Sequence, residues 1–266
     1  MITSTSNPKV KRLVNLKKRR KARDDEGVFL AEGIRMSREV PTDLLLEVYV
    51  TEGFYKKEKE LTDILCRQAK IRQEVLSDTV FAYVSDTKTP QGVMCVVRQR
   101  NKTAKKWERL IEKEQQKPFF LVLDNLQDPG NMGTVIRTAE AAGVTGILMS
   151  ADCVDVYNPK TIRSTMGSVY RMPLWYAEDI CEAVRELKRQ GIHTYAAHLE
   201  GTVVYDEAEY REGTAFLIGN EGNGLRQEVA ELADTWVRIP MAGQVESLNA
   251  AIAAAVLMFE AGRQRR

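Results

Sequence analysis

Histidine is nearly missing from this chain of 266 residues, which has only His193 and His198. Cysteine is also sparse: Cys66, Cys95, Cys153 and Cys181 stand far apart, with no Cys-x-x-Cys pair. That spacing fits neither a zinc site nor a disulfide frame, and points to reduced thiols. No carboxylate cluster accompanies the two imidazoles, so no metal is expected. Long apolar runs are absent too. The longest, Ala250 to Phe259, falls well short of the roughly 20 residues a bilayer span needs, so no membrane partner is expected. Basic residues interrupt the N-terminal stretch throughout and leave no secretory core. A soluble, cytoplasmic protein is expected. Net charge excludes little, because 39 lysines and arginines face 37 aspartates and glutamates.

The distribution of charge says more than the sum. Residues 1 to 23 carry nine basic side chains (Lys9, Lys11, Arg12, Lys17, Lys18, Arg19, Arg20, Lys21 and Arg23) and no acid. Such an arm is an electrostatic footprint for phosphate, hence for nucleic acid. A solvated helix face is the competing reading.

At this length the chain suits one large or two medium domains. Val10, Leu13, Val14 and Leu16 give a partial helical stripe over 7–22. Strands are expected at 27–31, 46–50, 74–76 and 92–97, with helices at 33–40, 57–70 and 78–84. Residues 98–117 turn polar and charged, with a partial helix through Trp107, Leu110 and Ile111. The division read from this is a domain over 1–99, a linker over 100–117 and a second domain over 118–266. Beyond the linker, strands are expected at 119–123, 145–149, 169–174, 193–197, 214–218 and 235–239. Helices are expected at 131–142, 159–166, 179–190 and 247–262. This strand–helix rhythm predicts an α/β fold with a parallel sheet covered by helices on both faces.

Three stretches combine glycine with reactive side chains where strands give way to turns: Asn131 to Arg137, Ile218 to Gly224 and Ile239 to Asn249. Open α/β sheets place ligands at such ends. In the first, Asp128-Pro-Gly makes a turn, Asn131 is placed to cap the next helix, and Arg137 follows in its second turn. The second lacks both the phosphate-loop and the dinucleotide spacing. Its glycines let backbone approach a ligand, and Glu221 can pair with Arg137 or a substrate group. In the third, Ser247 can cap a final helix striped by Leu248, Ile252, Val256 and Phe259. An ordinary βα turn, a structural turn and a core helix are the competing readings of the three taken singly.

Together the three stretches resemble the signature motifs of the SpoU-type RNA ribose 2′-O-methyltransferases, a branch of the trefoil-knotted SPOUT superfamily. Arg163-Ser-Thr-Met-Gly-Ser168 resembles another family segment. Ser6-Asn-Pro-Lys and Phe29 to Arg35 are similar to the family's substrate-binding domain, itself similar to ribosomal RNA-binding proteins. The resemblance implies a deep trefoil knot in the C-terminal domain, a smaller N-terminal α/β RNA-binding domain, and S-adenosylmethionine as cofactor. It assigns Gly219, Ile239 and Leu248, with neighbours Asn220 and Met241, to cofactor contact. Asn131, Arg137, Glu221, Ser247 and Asn249 become the polar catalytic set. Lys9, Lys11, Arg12, Lys17, Lys18, Arg19, Arg20 and Arg35 become the RNA-facing cations. It further implies a homodimer through the C-terminal domains, with Arg137 near the partner's cofactor site.

The implied chemistry moves a sulfonium methyl to a ribose oxygen. A guanidinium stays charged at neutral pH, so Arg137 suits stabilisation of a developing alkoxide, or action with an RNA phosphate, better than a free base. Glu221 would orient Arg137. Ribosomal RNA is favoured over transfer RNA. A knotted enzyme acting on a base nitrogen, or a catalytically silent RNA-binding assembly protein, are the alternatives.

Overall fold

The computed structural model describes residues 1–100 and 117–266. Most of the expected linker, with Trp107, Leu110 and Ile111, lies outside the described residues. In chain order the first elements are α1 (Pro8–Lys18), α2 (Arg20–Glu26), β1 (Val28–Glu32), α3 (Ile34–Arg38) and β2 (Leu45–Thr51). Then come α4 (Glu52–Lys57), α5 (Lys59–Ala69), β3 (Gln73–Leu76), α6 (Asp78–Val84) and β4 (Val93–Arg98). After residue 117 follow β5 (Phe119–Leu123), α7 (Pro129–Ala141), β6 (Gly146–Ser150), α8 (Pro159–Thr165) and β7 (Leu174–Ala177). The rest are α9 (Ile180–Arg189), β8 (His193–Ala197), β9 (Val203–Val204), β10 (Thr214–Ile218), α10 (Gln227–Ala230), β11 (Thr235–Arg238) and α11 (Ala250–Gln264).

Two compact units result, Met1–Asn101 with Asp155–Tyr170, and Lys102–Val154 with Arg171–Arg266. Compactness and chain order therefore differ at 155–170. The first unit holds a four-stranded sheet ordered β1-β4-β2-β3. It is mixed: β4 runs antiparallel to β1 and β2, while β2 and β3 are parallel. Val10, Leu13 and Leu16 are fully buried against Val80, Phe81 and Val84 and the sheet residues Leu30, Tyr49 and Met94. The expected helix over 7–22 breaks at Arg19, whose extended backbone separates α1 from α2. Gly27, left-handed at φ 64°, closes α2.

Residues 155–170 join this unit through a buried ion pair. Arg23, 3% exposed, donates from Nε and Nη2 to Asp155 Oδ2 at 3.0 and 2.6 Å and from Nη1 to the Leu16 carbonyl at 2.6 Å. Phe29 stacks on Tyr157 with centroids 4.6 Å apart, and the Tyr170 hydroxyl donates to the Met36 carbonyl. Arg163 pairs with Asp86 at 2.7 Å.

The second unit has seven strands ordered β7-β6-β5-β10-β8-β11-β9, every pairing parallel. Strands β5, β6 and β10 are buried at every position, as sheets covered on both faces require. Phe120, Val122, Leu148, Ala215 and Leu217 face Ile180, Val184 and Leu187 of α9. The alternate residues turn to the opposite face, where α7 and α11 pack together. The parallel sheet expected from the rhythm is present.

Several local expectations are corrected. No strand spans 169–174: Ser168–Tyr170 is a buried 3-10 turn and the strand starts at Leu174. Pro173 lacks a ladder N–H, though its carbonyl accepts from Ile147. Helix α7 starts two residues early, with Pro129 at its head and Asp128 Oδ1 accepting from the Asn131 N–H at 2.8 Å. Asp128, not Asn131, is the cap. Arg137 therefore lies in the third turn, not the second. Asn249, not Ser247, caps α11, accepting from Ala251 and Ile252.

Candidate functional site

In the second sheet β10 lies at the centre, next to β5 and one strand away from β11, and each of the three releases one motif loop at its end. Loop 219–224 folds back on itself. The Asn220 N–H donates to the Gly224 carbonyl at 2.9 Å, and the Gly224 N–H returns to the Asn220 carbonyl at 3.0 Å. Asn220 Oδ1 fastens the interior by accepting from the N–H groups of Gly222 and Asn223. Gly224 is left-handed at φ 68°. A Cβ on Gly219 would run into the backbone of Gly224 and Leu225, so glycine there is demanded by loop closure itself.

Asn131 joins the three motifs. Its Nδ2 donates to Glu221 Oε1 at 3.0 Å, and its Oδ1 accepts from Asn249 Nδ2 at 3.0 Å. Glu221 also accepts from the Asp128 N–H at 3.0 Å and the Gln127 N–H at 3.2 Å. Burial pushes the Glu221 carboxyl up, but the hydrogen bonds from Asn131, from the Asp128, Gln127 and its own backbone N–H groups outweigh it and leave the group below its ordinary value. A carboxylate so occupied is an anchor, with little acceptor capacity left for a substrate proton.

Beside this relay opens a cavity of about 530 Å³, within the roughly 300–1,000 Å³ of small-molecule clefts. Its apolar wall includes Ile218, Val237, Ile239, Met241 and Leu248, and its rim His198, Leu199, Glu200, Glu221 and Ser247. Gly219 and Asn220 also line it, so all five residues assigned to cofactor contact meet here. Apolar surface for a base, edged by the polar side chains of His198, Glu200, Glu221 and Ser247, fits a nucleoside with an amino-acid tail. Among the described residues no group of histidine, cysteine or carboxylate side chains is arranged to hold a metal.

Two motif residues take no part in the relay. Arg137 is exposed, does not line the cavity, and has no hydrogen-bond or ion-pair partner among the described residues. It is six positions on from Asn131, which turns it about 120° around α7. The expected Glu221–Arg137 pairing is thus corrected: Glu221 is held by Asn131 and backbone within the chain. Ser247 lines the cavity, exposed and likewise without a hydrogen-bond partner among the described residues.

Sequence reasoning missed Asp124, Asn125, Gln127 and Arg226. Asp124 is fully buried at the end of β5 and takes Arg226 Nε at 2.9 Å. Asn125, left-handed at φ 55°, offers its carbonyl to Asn220 Nδ2 at 2.8 Å. An acid directly after an all-apolar strand was the available signal for Asp124; nothing local announces its partner 102 residues on.

Many of the cations expected to face RNA are engaged in the first unit. Lys9 pairs with Glu74, and Arg12 with Glu26 and Glu47 at 2.7 Å each. Lys17 donates to the Ser85 carbonyl at 2.9 Å, Arg20 lies 3.4 Å from Asp24 and Arg35 lies 3.6 Å from Glu39. Lys11, Lys18 and Arg19, with Lys21, are exposed and have no such partner among the described residues.

Comparisons with known proteins agree with this architecture. The family model described as SpoU rRNA Methylase matches residues 118–259, and an MRM3-like substrate binding domain matches residues 7–95. An uncharacterised tRNA/rRNA methyltransferase of Synechocystis is 36% identical, over 99% of this chain and 94% of its own. The 23S rRNA (guanosine(2553)-2′-O)-methyltransferase RlmP of Bacillus subtilis is 34% identical over 97% of both chains. The SpoU methyltransferase AviRb of Streptomyces viridochromogenes, solved in complex with AdoMet, superposes with a TM-score of 0.86 at 26% identity, covering 97% of this chain and 98% of its own. With more than half its length matched by that family model and its three motif loops hydrogen-bonded into one cleft, the chain belongs to the SpoU rRNA methylase family.

Proposed function

We propose that this protein transfers a methyl group from S-adenosylmethionine to a ribose 2′-hydroxyl of RNA, with ribosomal RNA favoured over transfer RNA. The observation that carries the reading is the Asn249–Asn131–Glu221 relay, which ties three distant motifs together beside one cavity. The relatives' names, which include 23S rRNA 2′-O-methyltransferases, support the same reaction and substrate. The chain is an RNA 2′-O-ribose methyltransferase and its cofactor is S-adenosylmethionine.

When bound, the cofactor supplies an electrophilic methyl group. The chain's own residues do the rest. Gly219, Asn220, Ile239, Met241 and Leu248 wall the cavity and exclude water from one side of it. Asn131 and Glu221 hold the loops in register, and Ser247 and Asn249 meet the substrate ribose. Arg137 supplies a fixed positive charge for the ribose oxygen, and an RNA phosphate beside it would take the proton that oxygen loses. Such alignment is worth roughly 7–11 kcal/mol in favourable intramolecular models.

Arg137 is exposed and does not line its own cleft, which supports a homodimer in which it serves the partner's. Ile252 and Phe259, 50% and 52% exposed and seven residues apart on α11, give an apolar face suited to that packing. The placement of β10 between β5 and β8, with β11 beyond β8, supports a trefoil knot around the 219–249 loops. Residues 1–99, resembling a ribosomal RNA-binding protein, would grip RNA, with 100–117 as linker and 118–266 as the methylating part, acting in the cytoplasm. Among the described residues no helix is long and apolar enough to cross a membrane.

The test is tritiated-methyl transfer from S-adenosylmethionine to total RNA by the full chain, followed by nucleoside analysis. Label in a 2′-O-methylnucleoside from ribosomal RNA is expected. Label on a base, or no transfer, would overturn the reading.

A further inference from the structure

The cleft loop is held at both feet by one residue that none of its motifs contains. The Asp124 N–H donates to the Ile218 carbonyl at 2.9 Å, just before the loop. The Asp124 carboxylate accepts from the Arg226 N–H at 3.0 Å, just after it, and from Arg226 Nε at 2.9 Å and Nη2. Its side chain is 1% exposed, that of Arg226 39%. The guanidinium also reaches Asp152 Oδ2 at 3.5 Å, beyond the end of β6. Ser150 links Asp152 back to the first strand end, because its hydroxyl donates to Asp152 and accepts from the Asn125 N–H. Three strand ends thus converge on one guanidinium. Leu225 and Gln227, on either side of Arg226, line the cavity, whereas Arg226 does not.

We propose that Asp124 and Arg226 are positioning residues that set the affinity of the 219–225 loop for S-adenosylmethionine while touching neither cofactor nor RNA. The loop's exposed glycines, Gly222 and Gly224, leave its backbone many conformations. Its inner hydrogen bonds fix its shape but not where it stands over the cavity. The forked Arg226–Asp124 contact supplies that placement, since a guanidinium docks on a carboxylate in a set plane where an ammonium does not. A buried carboxylate without its partner would seek other donors and drag the loop with it.

The inference rests on the reading that this cavity receives the cofactor, and the experiment separates the two. Calorimetry with S-adenosylhomocysteine, melting temperature, and KM and kcat for methyl transfer would be measured on full-length Arg226→Lys, Arg226→Ala, Ala253→Phe and the double variant Asp124→Asn/Arg226→Gln. Arg226→Lys and Arg226→Ala should weaken binding by about 10–100-fold, the range seen when outer partners that orient metal ligands are removed. KM for S-adenosylmethionine should rise in step with little change in kcat. The double variant, which leaves no unpaired buried charge, should recover much of the melting temperature lost in Arg226→Ala but not the affinity. Affinity that recovers together with stability would reduce the pair to a structural role and overturn the proposal. Ala253→Phe narrows the cavity from α11 without touching the clamp. Loss of binding there with normal binding in both Arg226 variants would overturn the clamp alone. Normal binding there with loss in the Arg226 variants would relocate the cofactor and leave the clamp standing, and normal binding in all would overturn both.

Discussion

Charged side chains of the first unit and polar motif side chains of the second meet opposite fates. Of the nine cations in the first 23 residues, Arg23 is buried on Asp155 and Lys9, Arg12 and Arg20 pair with acids at the surface. Lys17 is spent on backbone carbonyls. In the second unit Arg137 and Ser247 stand exposed and unpaired among the described residues, while Asn131 links Glu221 to Asn249 and backbone N–H groups hold the other two. A run of charge in sequence thus overstates the charge available to a ligand. A motif understates how firmly its members are held.

The sharpest break of this contrast is Arg23→Ala. Removing one partner of a buried pair costs about 3–5 kcal/mol, so urea unfolding should show a loss of that size, against less than about 0.5 kcal/mol for exposed Arg19→Ala. Equal, small losses would mean that Arg23 belongs with the surface cations after all. Next in size is Arg137→Ala. Methyl transfer should fall by about 10²–10³-fold, as when one transition-state donor is lost, with calorimetric cofactor affinity almost unchanged. Wild-type turnover would make Arg137 merely structural.

Asn131→Ala should lower kcat/KM by the equivalent of about 1–3 kcal/mol, because Glu221 loses a donor and Asn249 an acceptor. If the relay acts as a unit, its effect and that of Asn249→Ala will fail to add in a double-mutant cycle. Simple additivity would dissolve the relay into separate interactions. The lowered Glu221 carboxyl keeps this anchor charged at neutral pH. Its contribution is present above the ordinary carboxylate range and is lost as pH falls through the lowered value. The mildest effect belongs to the exposed cations. Replacing Lys18, Arg19 and Lys21 by glutamine should flatten the dependence of RNA affinity on salt, by about one in log–log slope for each phosphate no longer neutralised. Arg12→Gln should leave the slope unaltered, and a change as large as that of an exposed lysine would show that its two glutamates do not neutralise it toward RNA.

The sequence by itself determined the parallel sheet, because runs such as Phe119 to Leu123 and Thr214 to Ile218 are apolar at every position or nearly so and are separated by helical patterns. It also determined the three loops, since glycine with Asn, Glu or Ser after such strands is a local pattern, and all five residues assigned to cofactor contact line one cavity. Helix heads were misread where two capping residues stood close together: Asp128 or Asn131, Ser247 or Asn249. Which oxygen turns back to the amides depends on backbone angles that composition does not carry. Tertiary structure alone decided the rest. It set Asp124 on Arg226, turned Glu221 to Asn131 instead of Arg137, and placed Asp155 under Arg23 across 132 residues of chain. These are pairings of charged or polar groups far apart in sequence. Hydrophobic periodicity registers which face of an element is buried, and it carries no record of which distant partner a buried charge will find.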